Sequence, residues 1–156
     1  MKDLIIRNAL SSDMETVLSL IKELADFENA SDQVKMTIDR LIEDGFGNEP
    51  LFKAIVAVYN GEVCGYALYY YGYSTWNGKT LYLEDFMIKS EYRRMGIGQI
   101  VFNEIKKIAN QQMVKRLDWQ VLDWNKTAID FYKKNKASFE GEWLNGRLFS
   151  LDLKNF

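Results

Sequence analysis

The chain has 156 residues, 47% hydrophobic and 27% charged, with a net charge of −2 and no histidine. That length and balance predict one soluble globular domain and exclude a disordered chain. The missing histidine excludes Ser-His-Asp and Cys-His nucleophiles and histidine-ligated metal, and the single Cys64 excludes an internal disulfide or a cysteine cluster.

Residues 3–8 (DLIIRN) read as a first strand. The N-terminal MKDLIIRNAL is too short and too charged for a signal peptide, and no stretch is apolar enough to span a membrane, so a reducing cytoplasm is expected. Ser12 and Glu15 have capping-box spacing. The helix after them aligns Val17, Leu20, Ile21 and Leu24 and ends near Phe27–Ala30. A second helix is predicted over Met36–Asp44, stopped by Gly45–Asn48. Residues 51–59 form a strand behind Pro50. Asn60-Gly61 signals a hairpin, and the return strand runs over Val63–Tyr73. Asn77-Gly78 signals a second hairpin into a strand over Thr80–Lys89.

That strand is nearly all apolar, so burial on both faces is expected. Glu84 and Asp85 interrupt it. Neighbouring strand residues point to opposite faces, so the two are not expected to serve one pocket by the same route. A bare buried carboxylate is costly. Each therefore needs partners from backbone or arginine, or a wet cleft, and Glu84 is the better candidate for the cleft.

The next turn is Arg93-Arg94-Met95-Gly96-Ile97-Gly98, opening a helix with apolar Ile97, Ile100, Val101, Ile105 and Ile108. Glycines let the backbone bend and approach a ligand, and the first helical N–H groups favour an anion. Val101 stands where a dinucleotide fingerprint needs its third glycine, and no Gly-Lys-Ser/Thr of a P-loop is present. Apart from Arg93-Arg94 there is no basic run, so nucleic acid is not an expected partner. Arg116–Leu122 reads as another strand. Asn125 is an N-cap candidate for a helix over Lys126–Asn135 with Ile129, Phe131 and Tyr132 near its inner side, and two closing strands flank Asn145-Gly146.

Arg-x-x-Gly-x-Gly at 93–98 resembles the acyl-CoA signature of GNAT-type N-acetyltransferases. The element order β-α-α-β-β-β-α-β-α-β-β is also similar to that family's. The resemblance implies an α/β GNAT fold over 1–156: a mixed, mostly antiparallel sheet of about seven strands with four helices. Phe27-Glu28, Glu43–Gly47, Tyr82–Phe86, Glu91–Arg93, Gly96–Gly98 and Trp124–Lys133 further resemble the spermidine/spermine acetyltransferase group. By that resemblance, Phe86, Met87 and Ile88 pair by backbone with the pantetheine arm of acetyl-CoA. Arg94, Met95, Gly96, Ile97, Gly98 and Gln99 hold the pyrophosphate, and Arg93 adds charge beside them on the cofactor side. Asn125, Lys126, Thr127 and Ala128 touch the cofactor. Phe27, Glu28, Glu84, Asp118, Trp119 and Gln120 line the amine site, and a homodimer is implied.

Acetylating an amine poses two proton problems. An alkylamine with a pKa near about 10.4 must lose a proton, and the departing thiolate benefits from an acid. Glu84, directly or through water, suits the first role. The resemblance assigns the second to Tyr132, which otherwise reads as a core aromatic. Polyamine-acetylating members carry an acid where Ser74 stands; Tyr73–Trp76 and Val121–Asn125 look like the thialysine acetyltransferase branch instead. Lys136 replaces the glycine usual after this helix. The favoured reading is acetyl transfer to a small lysine-like amine, with polyamines second. Peptide or protein N-acetylation and a non-catalytic acyl-CoA-binding regulator remain as alternatives.

Overall fold

A computed structural model describes residues 3–142 and 144–153. The chain divides into two compact units, Met1–Gln120 and Val121–Phe156.

The first unit holds a five-stranded sheet in the order β1-β2-β3-β4-β5. The strands are β1 (Leu4–Asn8), β2 (Lys53–Tyr59), β3 (Glu62–Ser74), β4 (Gly78–Ile88) and β5 (Arg116–Asp118). The first four pair antiparallel, and β5 joins β4 in parallel. A parallel pair needs a crossover, which α3 (Ile97–Gln111) supplies. Asn60 and Gly61 take φ of 52° and 85°, the two-residue turn expected there. The second hairpin differs. Ser74 faces Gly78 across the ladder, leaving a three-residue loop, Thr75–Asn77, with Gly78 at φ 92°.

One sheet face carries α1 (Met14–Phe27) and α2 (Ile38–Phe46), where Met14, Val17, Leu20 and Leu41 pack with Val56, Tyr66, Leu68 and Met87. Full burial of each such side chain contributes about 1.5–3 kcal/mol. The other face carries α3, whose Phe102 stacks on Phe86 at 6.1 Å. Ile97, Val101, Phe102, Ile105 and Ala109 form its buried side; Ile100, expected inward, is exposed.

The Ser12–Glu15 capping box does not form. The α1 N-cap is Asp13, which makes no side-chain cap bond. Its carboxylate instead accepts from the Leu10 N–H at 2.7 Å and pairs with Arg7 at 2.6 and 2.9 Å. A charge-assisted bidentate pair outweighs a cap. At α2 the Thr37 Oγ1 accepts from the Arg40 N–H at 3.2 Å, shifting the helix later than predicted.

In the second unit, α4 (Lys126–Lys134) begins at Asn125, whose Oδ1 accepts from the Ala128 N–H at 3.1 Å. At its end, Ala137 N–H reaches Tyr132 O at 3.1 Å and Lys136 N–H reaches Lys133 O at 2.9 Å. This Schellman closure needs a left-handed residue, normally glycine, and Lys136 takes that role at φ 67°. The expected seventh and sixth strands are absent among the described residues. Residues 138–142 and 144–149 are irregular, and a single helical turn follows at Ser150–Leu153. A hairpin without a sheet or helix to cover it is marginal, and Leu144, Leu148 and Phe149 are all exposed. β5 likewise stops at Asp118, short of the predicted Leu122.

Candidate active site

The β4–β5 ladder contains Thr80↔Arg116, Leu81↔Leu117 and Tyr82↔Asp118, and then ends. β4 continues to Ile88. The Lys89 N–H bonds Cys64 O at 2.9 Å. Antiparallel pairs alternate, so the backbones of Met87 and Asp85 also turn toward β3, while those of Phe86 and Ile88 turn away from it. Of the three residues expected to pair with pantetheine, only Phe86 and Ile88 thus present backbone groups to the splayed edge. The backbone of Met87 belongs to the β3 ladder. The Ile88 carbonyl already accepts from Arg93 Nε at 2.9 Å.

Past Ile88 the chain makes a 3-10 turn at Ser90–Tyr92. Arg93 does not join an outward basic pair: its guanidinium also sits 5.8 Å from the Phe27 ring centre and 3.9 Å from Glu23. Arg94, exposed and at φ 62°, makes no ion pair among the described residues. Gly96 caps α3 at φ 83°, a backbone that disfavours any other residue. Its carbonyl accepts from the Gln99 and Ile100 N–H groups at 3.1 and 3.3 Å. A Cβ on Gly98 would lie 3.6 Å from Phe86 Cζ and 3.7 Å from Ile88 Cγ1, ordinary contacts. The start of α3 therefore lies beside the end of β4, with Met95 partly exposed between them in sequence. Outward amides along a strand edge followed by a helix N-terminus fit an amide-bearing arm that ends in a diphosphate.

The carboxylates are arranged differently from the expectation. Leu68 faces Asp85 and Tyr69 faces Leu83, so Glu84 is an inserted residue, a β-bulge. Opposed residues share a face. Tyr66, Leu68 and Tyr70 therefore share theirs with Met87, Asp85 and Tyr82, while Ala67 and Tyr69 share the other with Phe86 and Leu83. Burial raises the Tyr70 phenol first and the Glu84 carboxylate adds to the rise, which sets Glu84 near Tyr70 on the Asp85 side. The bulge overrides strict alternation and puts both carboxylates on the α1 face. Tyr66 donates to Asp85 Oδ2 at 3.0 Å. Burial raises Asp85 above the usual carboxylate range, and the Tyr66 bond lowers it in part. Glu28, the C-cap of α1, is raised by burial and then by the Asp85 charge. Asp118, opposite Tyr82, shares this face but is paired with Arg116 at 2.7 Å.

Glu28, Glu84 and Asp85 are thus brought together, with Phe27 ending the helix beside them. Trp119 is not: its ring packs edge-on against Phe102 at 5.7 Å, toward α3. Gln120 is exposed. In the second unit, Asn125 is occupied as the α4 cap, with Lys126 and Thr127 exposed in the first turn. Tyr132 is buried, and burial pushes its phenol up to about 12. The sequence did not single out Tyr66 or Tyr70, and it placed Asp85 behind Glu84 as the candidate for the cleft. Two adjacent acids in an apolar strand were a signal, but register is not written in one strand's own sequence.

The family profile "Acetyltransferase (GNAT) family" matches residues 17–136. The chain belongs to the GNAT family. The Bos taurus thialysine N-epsilon-acetyltransferase is 44% identical over 136 residues, covering 82% of this chain and 80% of that protein. The Caenorhabditis elegans thialysine N-epsilon-acetyltransferase is 34% identical, covering 100% and 98%. Among solved structures, an integron cassette protein from the mobile metagenome of V. cholerae superposes with a TM-score of 0.78 at 23% identity, over 98% of this chain and 96% of that one. In this GNAT chain the parallel β4–β5 pair stops after Tyr82, and the glycine turn leads into α3 beside the end of β4.

Proposed function

We propose that this GNAT protein transfers acetyl from acetyl-CoA directly to the primary amine of a small diamine or lysine-like substrate. Lysine-like thioether amines such as thialysine come first and polyamines second. The carrying observation is the β4 bulge, which sets Glu84 and Asp85 on one face beside a strand edge turned outward at Phe86 and Ile88. The names of the two relatives support the amine class.

Acetyl-CoA supplies the thioester carbonyl that the amine attacks and a thiolate as leaving group. Phe86 and Ile88 hold the arm by backbone, while Arg94 and the amides from Met95 to Gln99 hold the diphosphate. Asn125, Lys126, Thr127 and Ala128 also touch the cofactor. Glu28 and Asp85 attract the ammonium. Glu84, which is exposed, takes its proton through water. Tyr132, with its phenol at about 12, stays protonated at neutral pH and donates to the leaving sulfur. Ser74 favours the shorter substrate. It stands where an acid would hold a distant ammonium, and its Oγ instead accepts from the Trp76 and Asn77 N–H groups at 3.3 and 3.2 Å. The working assembly is a cytoplasmic homodimer.

The test is acetyl-CoA consumption on an amine panel spanning thialysine, lysine, short diamines and spermidine. Thialysine should give the highest kcat/KM. Glu84→Gln and Tyr132→Phe should each lower kcat by about a hundredfold or more. Rates unchanged from the wild-type protein in both variants would remove the assigned roles.

A further inference from the structure

Tyr66 is fully buried in the α1–α2 core beside Met14, Leu68 and Met87. A phenylalanine would fill the same space without a polar atom to satisfy. Its hydroxyl has one partner, Asp85 Oδ2 at 3.0 Å. The other carboxylate oxygen, Oδ1, makes no hydrogen bond within the protein among the described residues, and Asp85 forms no ion pair there.

The groups facing Asp85 are few. Tyr66 comes from β3, Glu28 from the end of α1, and Glu84 from its own strand. Two of the three are acids, and no described cation pairs with it. A carboxylate that is mostly buried beside two like charges tends to take a proton and become neutral. A neutral acid no longer attracts an ammonium.

We infer that Tyr66 is a positioning residue: by donating to Oδ2 it keeps Asp85 an anion and fixes Oδ1 as the acceptor for the substrate ammonium. Asp85 touches the amine, and Tyr66 acts only through Asp85. Burial raises the Asp85 carboxyl and the Tyr66 bond lowers it, the direction this role requires. The inference rests on the amine-acetyltransferase reading for its kinetic test, but not for its spectroscopic one.

Tyr66→Phe is the test variant. Its KM for the amine should rise about tenfold at pH 7, with kcat within about twofold and the KM for acetyl-CoA unchanged. The acid limb of its kcat/KM profile should move up by about one pH unit. A purely structural role would not move that limb selectively. In an Asp85→Asn background the Tyr66→Phe change should add nothing further. An unmoved acid limb, or an undiminished effect in the Asp85→Asn background, overturns the inference. Should Tyr66→Phe fail to fold, carboxyl carbon-13 titration of Asp85 in the wild-type protein decides. Asp85 should be ionised at pH 7, and a neutral Asp85 would overturn the role. A wild-type protein inactive on every amine would defeat the function reading while leaving that titration readable.

Discussion

Tyr82 and Asp118 are the last residues to pair across β4 and β5, and β4 runs on for another six residues to Ile88. The Phe86 and Ile88 backbones turn toward that opening, while those of Asp85 and Met87 bond to β3. Amide exchange should separate the two sets. Saturating CoA should slow exchange at Phe86 and Ile88 by about tenfold or more, with little change at Asp85 and Met87. Unchanged exchange at both outward amides would place the cofactor elsewhere.

The two arginines of the turn should respond differently to truncation. Arg93 is committed to the Ile88 carbonyl and the Phe27 ring, whereas Arg94 makes no ion pair among the described residues. Arg94→Ala should weaken CoA by about tenfold, since hydrogen bonds to a charged group contribute about 1.5–3 kcal/mol. The loss should shrink as salt rises. Arg93→Ala should affect thermal stability more than affinity. Calorimetry at two ionic strengths checks both.

Alkali should destabilise the fold through its buried phenols. Tyr132 and Tyr69 move from 10.0 to about 12 on folding because burial penalises the phenolate. A raised folded-state value means full stability below about pH 10 and progressive loss as pH rises toward 12. For Tyr132 the ceiling is about 2–3 kcal/mol. Melting curves at pH 9 and 11 should show the drop, and Tyr132→Phe should reduce it.

Lys136 holds a left-handed backbone at φ 67° to close α4. Lys136→Gly relieves a side-chain penalty of about 1–2 kcal/mol, partly offset by the greater freedom of glycine in the unfolded chain. The expected net is a rise in Tm of a few degrees without loss of activity. A fall in Tm would mean the lysine side chain stabilises the closure.

The strands β1 to β4, the crossover helix and the glycine turn were legible because each rests on local signals: apolar runs, Asn-Gly turns, a cap at Asn125. What was lost depends on pairing. The placement of Asp85 depended on an inserted Glu84 that shows only against β3. The capping role of Asp13 depended on Arg7 in a different element. The tail around Asn145-Gly146 carried a good turn signal but forms no strand among the described residues, and Leu144 and Leu148 are exposed. Trp119 read equally well as pocket wall or packing, and its contact with Phe102 favours packing.

Because Glu84 is a supernumerary residue, the acid pair is placed by a count of backbone units rather than by side-chain identity. Substitutions at 84 or 85 change the charge but keep the address. Deleting one residue between Leu83 and Phe86 would restore strict alternation and leave a single position there on the α1 face. A relative that kept both acids but lost one residue nearby would look conserved by composition while its second carboxylate pointed to the wrong side.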